Sequence, residues 1–202
     1  MAGRRARRRT DRNSPPGRLR IVAGKWRSRL LPVADVPGLR PTSERIRETL
    51  FNWLEPRIAG ARCLDLFAGS GALGLEALSR GAASVVLVER DELAANVLQG
   101  AVRSLDARGA TLVRADARNF LETCPAQSFD LVFLDPPFAG YPAGELCRLL
   151  DASGCLAGGA LVYLEQDRAA PPPVLPAGWT ATRERTAGNV RYALISTSGG
   201  TR

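Results

Sequence analysis

Residues 63 to 74 read Cys63-Leu-Asp-Leu-Phe-Ala-Gly-Ser-Gly-Ala-Leu-Gly74, and Glu89 ends the next apolar run, twenty residues past Gly69. The first five residues have the composition of a buried strand. They break into Gly69, Gly71 and Gly74 at G-x-G-x-x-G spacing, and helical spacing then runs from about Ala72 to Ser79. Strand, glycine turn, helix, strand and terminal carboxylate form the nucleotide-binding version of a βαβ unit. Glycines allow the tight turn and a close backbone approach. A carboxylate at the second strand end can hold both hydroxyls of a ribose.

The pattern continues downstream. Strands are predicted at Ser84 to Val88, Thr111 to Arg114, Leu131 to Leu134 and Ala160 to Glu165, with helices at Asp91 to about Leu105, near Arg118 to Glu122 and near Gly144 to Leu150. Thr180 to Thr186 and Arg191 to Thr197 read as a closing antiparallel pair. Alternating strands and helices imply an α/β domain whose mostly parallel sheet is covered on both faces. Upstream, Thr42 or Ser43 can cap a helix whose buried stripe is Ile46, Leu50, Trp53 and Leu54. Pro56 is expected to end it, and Arg40, Arg45 and Arg47 are left for the outside. Leu19 and Ile21 alternate with Arg18 and Arg20, and Ala23-Gly24-Lys25 can turn, so residues 18–39 read as a basic β-hairpin extension. The methyl-transfer chemistry argued below falls in residues 40–202.

The 202-residue chain carries a net charge of +8, unevenly spread: residues 1–29 hold +10 and the remainder −2. Such basic arms usually meet polyanions through phosphate contacts. Residues 1–17 are arginine-rich and are expected to be disordered when free. Cys63, Cys124, Cys147 and Cys155 lack C-x-x-C spacing and are expected to be reduced thiols, not metal ligands. There are no histidines, which excludes histidine acid–base catalysis; a proton acceptor has to be a carboxylate, a carbonyl or water. No membrane span or secretory signal is evident, so a cytoplasmic protein is expected.

Residues 129 to 138, Phe-Asp-Leu-Val-Phe-Leu-Asp-Pro-Pro-Phe, select the chemistry. Asp135 can accept from an exocyclic amine and the Pro136 carbonyl can take its second N–H. The two prolines stiffen the loop, and Phe138 can stack on a base. Asp135, Pro136, Pro137 and Phe138 are therefore the candidate catalytic residues for methylation of a nucleobase amine. Asp65 suits the same chemistry: a carboxylate there repels a pyrophosphate but favours the ammonium and sulfonium of S-adenosylmethionine. Asp116 can accept from the adenine amino group while the Ala117 N–H meets a ring nitrogen. Phe67, Gly69, Ser70, Gly71, Glu89 and Arg90 complete the expected cofactor contacts.

These residues resemble one family, the bacterial small-subunit rRNA guanine-N2 methyltransferases known as RsmD, or 16S rRNA (guanine(966)-N(2))-methyltransferases. The resemblance rests on Arg20-Ile-Val-Ala-Gly-Lys-Trp-Arg27, the stretch from Gly38 through Arg40-Pro-Thr42 to Leu54, the stretch from Cys63 to Arg80, and Phe133-Leu-Asp-Pro-Pro-Phe138. It implies a class I methyltransferase fold, a Rossmann-like, mostly parallel seven-stranded sheet with an antiparallel last strand. It further implies S-adenosylmethionine as donor and N2 of a 16S rRNA guanine, on an assembled small ribosomal subunit, as acceptor. Arg20, Lys25, Trp26, Arg27, Arg40, Thr42, Arg45 and Arg47 would face RNA; a monomer without metal is expected. Residues 1–17 do not match the family. The alternatives are an amino methyltransferase for another nucleic acid and a non-catalytic RNA-binding assembly factor.

Overall fold

The computed structural model describes residues 17–39, 41–137 and 140–197. The arginine-rich tail before Gly17, and the expected site residues Arg40 and Phe138, lie outside the described residues.

A seven-stranded sheet is built from β3 (Arg62–Asp65), β4 (Ser84–Glu89), β5 (Ala110–Arg114), β6 (Phe129–Leu134), β7 (Leu156–Asp167), β8 (Thr180–Ala187) and β9 (Val190–Ser196). Its spatial order is β5-β4-β3-β6-β7-β9-β8. The first five are parallel, and β9 runs antiparallel to both β7 and β8. The chain order reverses beside β3, between β4 and β6, which is where an open α/β sheet leaves a crevice at its carboxyl edge.

The helices divide between the two faces because the strands' apolar residues alternate. Cys63, Leu131 and Phe133 belong to one core, with α1 (Glu44–Ile58), α2 (Gly74–Ser79) and α3 (Glu92–Ser104). Leu64, Val132 and Leu134 belong to the other, under α4 (Ala117–Thr123) and α5 (Ala143–Ala152). Ser43 caps α1, its hydroxyl accepting from the Ile46 N–H. Pro56 sits inside α1, contrary to the expectation that it ends the helix. Pro56 and Asn52 are both exposed, so the carbonyl that Pro56 leaves unpaired faces water, and Ile58 still buries against the core. All four cysteines are free, and three are buried. Among the described residues no helix is long and apolar enough to cross a membrane.

The front end is a hairpin of β1 (Arg18–Arg20) and β2 (Leu30–Pro32), but its connection is longer than a tight turn and includes a 3-10 turn at Gly24–Trp26. The loop is shaped by docking: a Cβ on Gly24, at φ +81°, would lie 1.9 Å from the Ser79 carbonyl oxygen. The Ser79 hydroxyl accepts from the Trp26 N–H and donates to the Ala23 carbonyl. Leu19, Ile21, Leu31 and Val33 join the first core, so the hairpin shares the domain's interior.

The largest correction concerns Arg47, which was expected outside. It is 1 % exposed and pairs with Glu76, which is 0 % exposed. Glu76 also accepts from the Val22 and Ala23 N–H groups, and Arg47 donates to the Arg20 and Thr42 carbonyls. Helical spacing placed Arg47 off the apolar stripe of α1; the hairpin, invisible to that periodicity, covers that side. Breaking a buried pair leaves one charge uncompensated, at a cost of about 3–5 kcal/mol. Arg47→Met is therefore expected to lose about 3–5 kcal/mol of unfolding free energy in a denaturant titration. A loss no larger than that of an exposed arginine such as Arg45 would show that the pair does not tie the front end down.

Candidate active site

The carboxyl ends of β3, β4, β6 and β7 open into one cavity of about 970 Å³. Its wall includes Asp65, Glu89, Asp91, Asp135 and Glu165 against, among the described residues, a single guanidinium, that of Arg90. Such a lining repels phosphate and attracts cations and N–H donors.

Asp65 ends β3 and is 1 % exposed. Its Oδ2 accepts from the Gly74 N–H at 2.9 Å and so caps the start of α2. Its Oδ1 is buried with no hydrogen-bond partner among the described residues. Burial, with the like charges of Asp135 and Glu89 behind it, pushes its pKa to about 7, against the opposing pull of the Gly74 amide and, more weakly, of the Phe67 amide, which comes near without meeting hydrogen-bond geometry. A buried oxygen without a donor is costly, and an ammonium or N–H facing the cavity would satisfy it. The residues present thus fit a cationic, phosphate-free nucleoside.

The glycine turn is set by packing as much as by the cavity. A Cβ on Gly74 would lie 2.4 Å from a Leu87 methyl, so glycine lets α2 sit close on β4. At Gly69, with φ +51°, a Cβ would meet a Leu39 methyl at 2.7 Å. Gly71, expected at the cofactor, is outside the cavity lining and packs against Leu75 and Leu98. Glu89 is held rigidly: Oε2 accepts from the Gly69 N–H at 2.8 Å and Oε1 from the Asp91 N–H at 2.7 Å. Each oxygen keeps a lone pair for a further donor.

Ala117 lines the cavity, but Asp116 does not. Asp116 caps α4 through the Arg118 N–H and accepts from the Tyr141 hydroxyl. Those hydrogen bonds, Tyr141's first, hold its carboxyl below the usual range. Tyr141, which the sequence reading missed, meets Phe67 edge-on at 4.9 Å, and the Arg90 and Arg118 guanidiniums lie over its ring. It sits in a loop with no periodicity to mark it.

Asp135 follows β6, with Pro136 and Pro137 beside it in the wall. Thr42 was expected at the RNA surface. It is buried instead, and its hydroxyl donates to Asp135 Oδ2 at 2.8 Å. With Ser43 capping α1, the Thr42 side chain is free to reach across to the reactive loop. Burial pushes the Asp135 pKa to about 6, and the Thr42 hydrogen bond opposes this. Glu165, also missed, is 3 % exposed and receives the Tyr163 hydroxyl at 2.7 Å. Its signal was present: it ends the predicted fifth strand, as the other rim carboxylates end theirs.

Phe67, Gly69, Ser70 and Arg90, read from the sequence as cofactor contacts, line the cavity. Of the residues expected at RNA, Lys25, Arg27 and Arg45 are exposed, and Lys25 lies over the half-buried Trp26 ring at 5.1 Å. The Arg20 side chain is 48 % exposed and pairs with Glu44. Thr42 and Arg47 are removed from that surface by their burial.

The chain has relatives among known proteins. The family model described as "Conserved hypothetical protein 95" matches residues 19–196. The chain is 48 % identical to ribosomal RNA small subunit methyltransferase D of Escherichia coli, over 90 % of this chain and 91 % of that protein. It is 44 % identical to the protein of the same name from Haemophilus influenzae, over 88 % and 93 %. The solved structure of the Escherichia coli yhhF protein superposes with a TM-score of 0.83 at 44 % identity, covering 90 % of this chain and 99 % of that one. A match of this length and identity, over the hairpin as well as the sheet, means that the chain belongs to the RsmD family.

Proposed function

We propose that the protein transfers a methyl group from S-adenosylmethionine to the exocyclic N2 of a guanine in 16S rRNA, on an assembled small subunit, acting as a cytoplasmic monomer. The observation that carries this reading is the pairing, in one acidic cavity, of an unpartnered Asp65 oxygen with an Asp135 carboxylate held by Thr42. The first suits a cationic donor and the second an amine. The relatives' name supplies the rRNA substrate.

Asp65 would take the ammonium end of the cofactor, Glu89 the ribose hydroxyls, and Ala117 with the Phe67–Tyr141 wall the adenine. Gly69 and Ser70 let the cofactor lie close against the turn. When bound, S-adenosylmethionine supplies an electrophilic methyl on a sulfonium. The amine is a poor nucleophile because its lone pair is delocalised into the ring. Asp135 Oδ1 and the Pro136 carbonyl each accept one of its N–H groups, which aims its electron density at the methyl. Orientation and the negative charge of Asp135 then stabilise the growing positive charge on nitrogen. Asp135 or water takes the proton. Phe138 is proposed to stack on the base, which has to leave its own stack to arrive. Arg20, Lys25, Arg27, Arg40 and Arg45, with Trp26 alongside, would hold the surrounding RNA, and the tail up to residue 17 would add phosphate contacts.

Asp135→Ala is expected to lower methyl transfer to small-subunit particles by at least about 100-fold, the scale of a lost electrostatic contact to the reacting group, while cofactor affinity by calorimetry stays within threefold or so. Full activity in that variant would sink the mechanism. Asp65 has to be ionised to hold a cation, and its carboxylate population grows as pH rises through about 7. Cofactor affinity should therefore climb with pH up to about 7, by at most about tenfold per unit, and level off above. Asp65→Asn should flatten that climb; an unchanged pH profile would remove Asp65 from the cationic end. Deleting residues 1–17 should weaken RNA binding and reduce the slope of log affinity against log salt; the full-length slope in the deletion would show that the arm does not touch phosphate.

A further inference from the structure

Glu165 is an expensive residue to keep where it is. It is 3 % exposed on β7, and no cation pairs with it among the described residues. An apolar residue at such a position is usually the more stable choice. Tyr163 anchors Oε1 with its hydroxyl at 2.7 Å, and the Thr42 hydroxyl, whose hydrogen goes to Asp135 Oδ2, lies close enough to favour the charged form of Glu165 as well. Glu165 faces the same cavity as Asp135. Burial first, and then the like charge of Asp135, push its pKa to about 8 against the opposing pull of the Tyr163 and Thr42 hydroxyls, so Glu165 becomes an acceptor-only carboxylate as pH rises through about 8 or as an N–H donor binds. Two neighbouring carboxyls with few donors of their own call for a ligand that brings two adjacent N–H groups.

Nucleobase chemistry narrows that ligand. Guanine N2 adjoins N1, which carries a hydrogen, so this edge presents donor beside donor. Adenine N6 and cytosine N4 each adjoin a bare ring nitrogen on the Watson–Crick edge, which presents donor beside acceptor. Asp135-Pro136-Pro137 can hold any of these amines and does not by itself choose among them.

We propose that Glu165 is a specificity-determining residue: its carboxylate accepts the ring N1–H beside the amine that Asp135 accepts, so the site takes guanine and rejects bases whose amine adjoins a bare nitrogen. This rests on the guanine-N2 reading above. A carboxylate set against a ring lone pair is repelled, and a site built to accept an N–H can reject an analogue lacking it by factors on the order of 10⁴. Tyr163 is the positioning residue: its hydroxyl holds Glu165 Oε1, which leaves Oε2 to read the base.

The test uses small-subunit particles assembled on 16S rRNA with either guanine or 2,6-diaminopurine at the methylated position. The analogue keeps the N2 amine but has a bare N1. Initial rates of methyl transfer are measured with full-length protein at a pH above about 8, where Glu165 is ionised. Wild type should prefer guanine by about 100-fold or more, toward the range such sites reach. In Glu165→Gln the amide can either accept from N1–H or donate to bare N1, and it still accepts from Tyr163. The preference should fall at least about tenfold, with an absolute gain on diaminopurine that a merely structural lesion cannot give. Tyr163→Phe, which removes only the anchoring hydroxyl, should lower the preference in the same direction and serves if the glutamine variant folds poorly. Wild-type preference in both variants overturns the inference. Equal wild-type rates on the two bases also overturn it while the N2 reading stands. No transfer to guanine N2 removes both.

Discussion

The buried Arg47–Glu76 pair is the constraint on which the geometry of the front half depends. Glu76 Oε2 accepts from Arg47 and from the Val22 N–H, and Oε1 from the Ala23 N–H and Arg80. Arg47 also donates to the Arg20 and Thr42 carbonyls. Hairpin, linker, α1 and α2 are thus fastened at one point, with both charges surrounded by partners. Taking two ions out of water offsets most of their attraction, so the use of the pair lies less in net stability than in register. Leucines could bury equal area and slide. A guanidinium with named carbonyls admits one alignment of four segments.

That alignment reaches the reactive loop. Arg47 holds the Thr42 backbone, and the Thr42 side chain holds Asp135 Oδ2. A carboxylate with one oxygen so occupied presents the other in a defined direction, which is what an amine needs from its acceptor. The same economy recurs around the cavity. Gly74 N–H holds Asp65, Gly69 and Asp91 N–H groups hold Glu89, and Tyr163 holds Glu165. Each of the four carboxyls is fixed by at least one protein donor and retains acceptor capacity for a ligand. Backbone amides fix Asp65 and Glu89 and hydroxyls fix Asp135 and Glu165, so among the described residues the negative field of the wall meets only the Arg90 guanidinium, and phosphate-bearing cofactors find little to bind.

Local pattern made the sheet legible. The apolar runs ending at Asp65, Glu89 and Asp135 all became strands whose terminal carboxylates share one rim, because period and punctuation are local properties and strand ends follow from them. Asp65 shows how one residue can serve two readings: one oxygen caps α2, and the other is buried without a hydrogen-bond partner among the described residues. Tertiary partners stayed hidden. Nothing near Arg47 announces Glu76, 29 residues away, and nothing near Thr42 announces Asp135, 93 residues away. Both look like surface residues to a helical wheel. Pro56 misled because an exposed last turn can leave a carbonyl to water. Gly71 and Asp116 took packing and capping roles that motif spacing alone does not separate from ligand contact. Tyr141 became visible only once the loop after β6 returned across α4.

On the proposed reading, the fastening of the hairpin also decides which partner has to move. The hairpin core residues Leu19, Ile21 and Leu31 are continuous with those of α1 and α2, and Thr42 links that body to Asp135. RNA bound to Lys25 and Arg27 would then be bound at an offset from the reactive carboxylate that these contacts set. The distance has to be made up by the nucleic acid, through extrusion of the target base, whose unstacking costs a few kcal/mol. Such an offset favours guanines whose surroundings already weaken their stacking. The basic front end would thus select the site along the RNA, and the paired carboxyls would select the base that arrives.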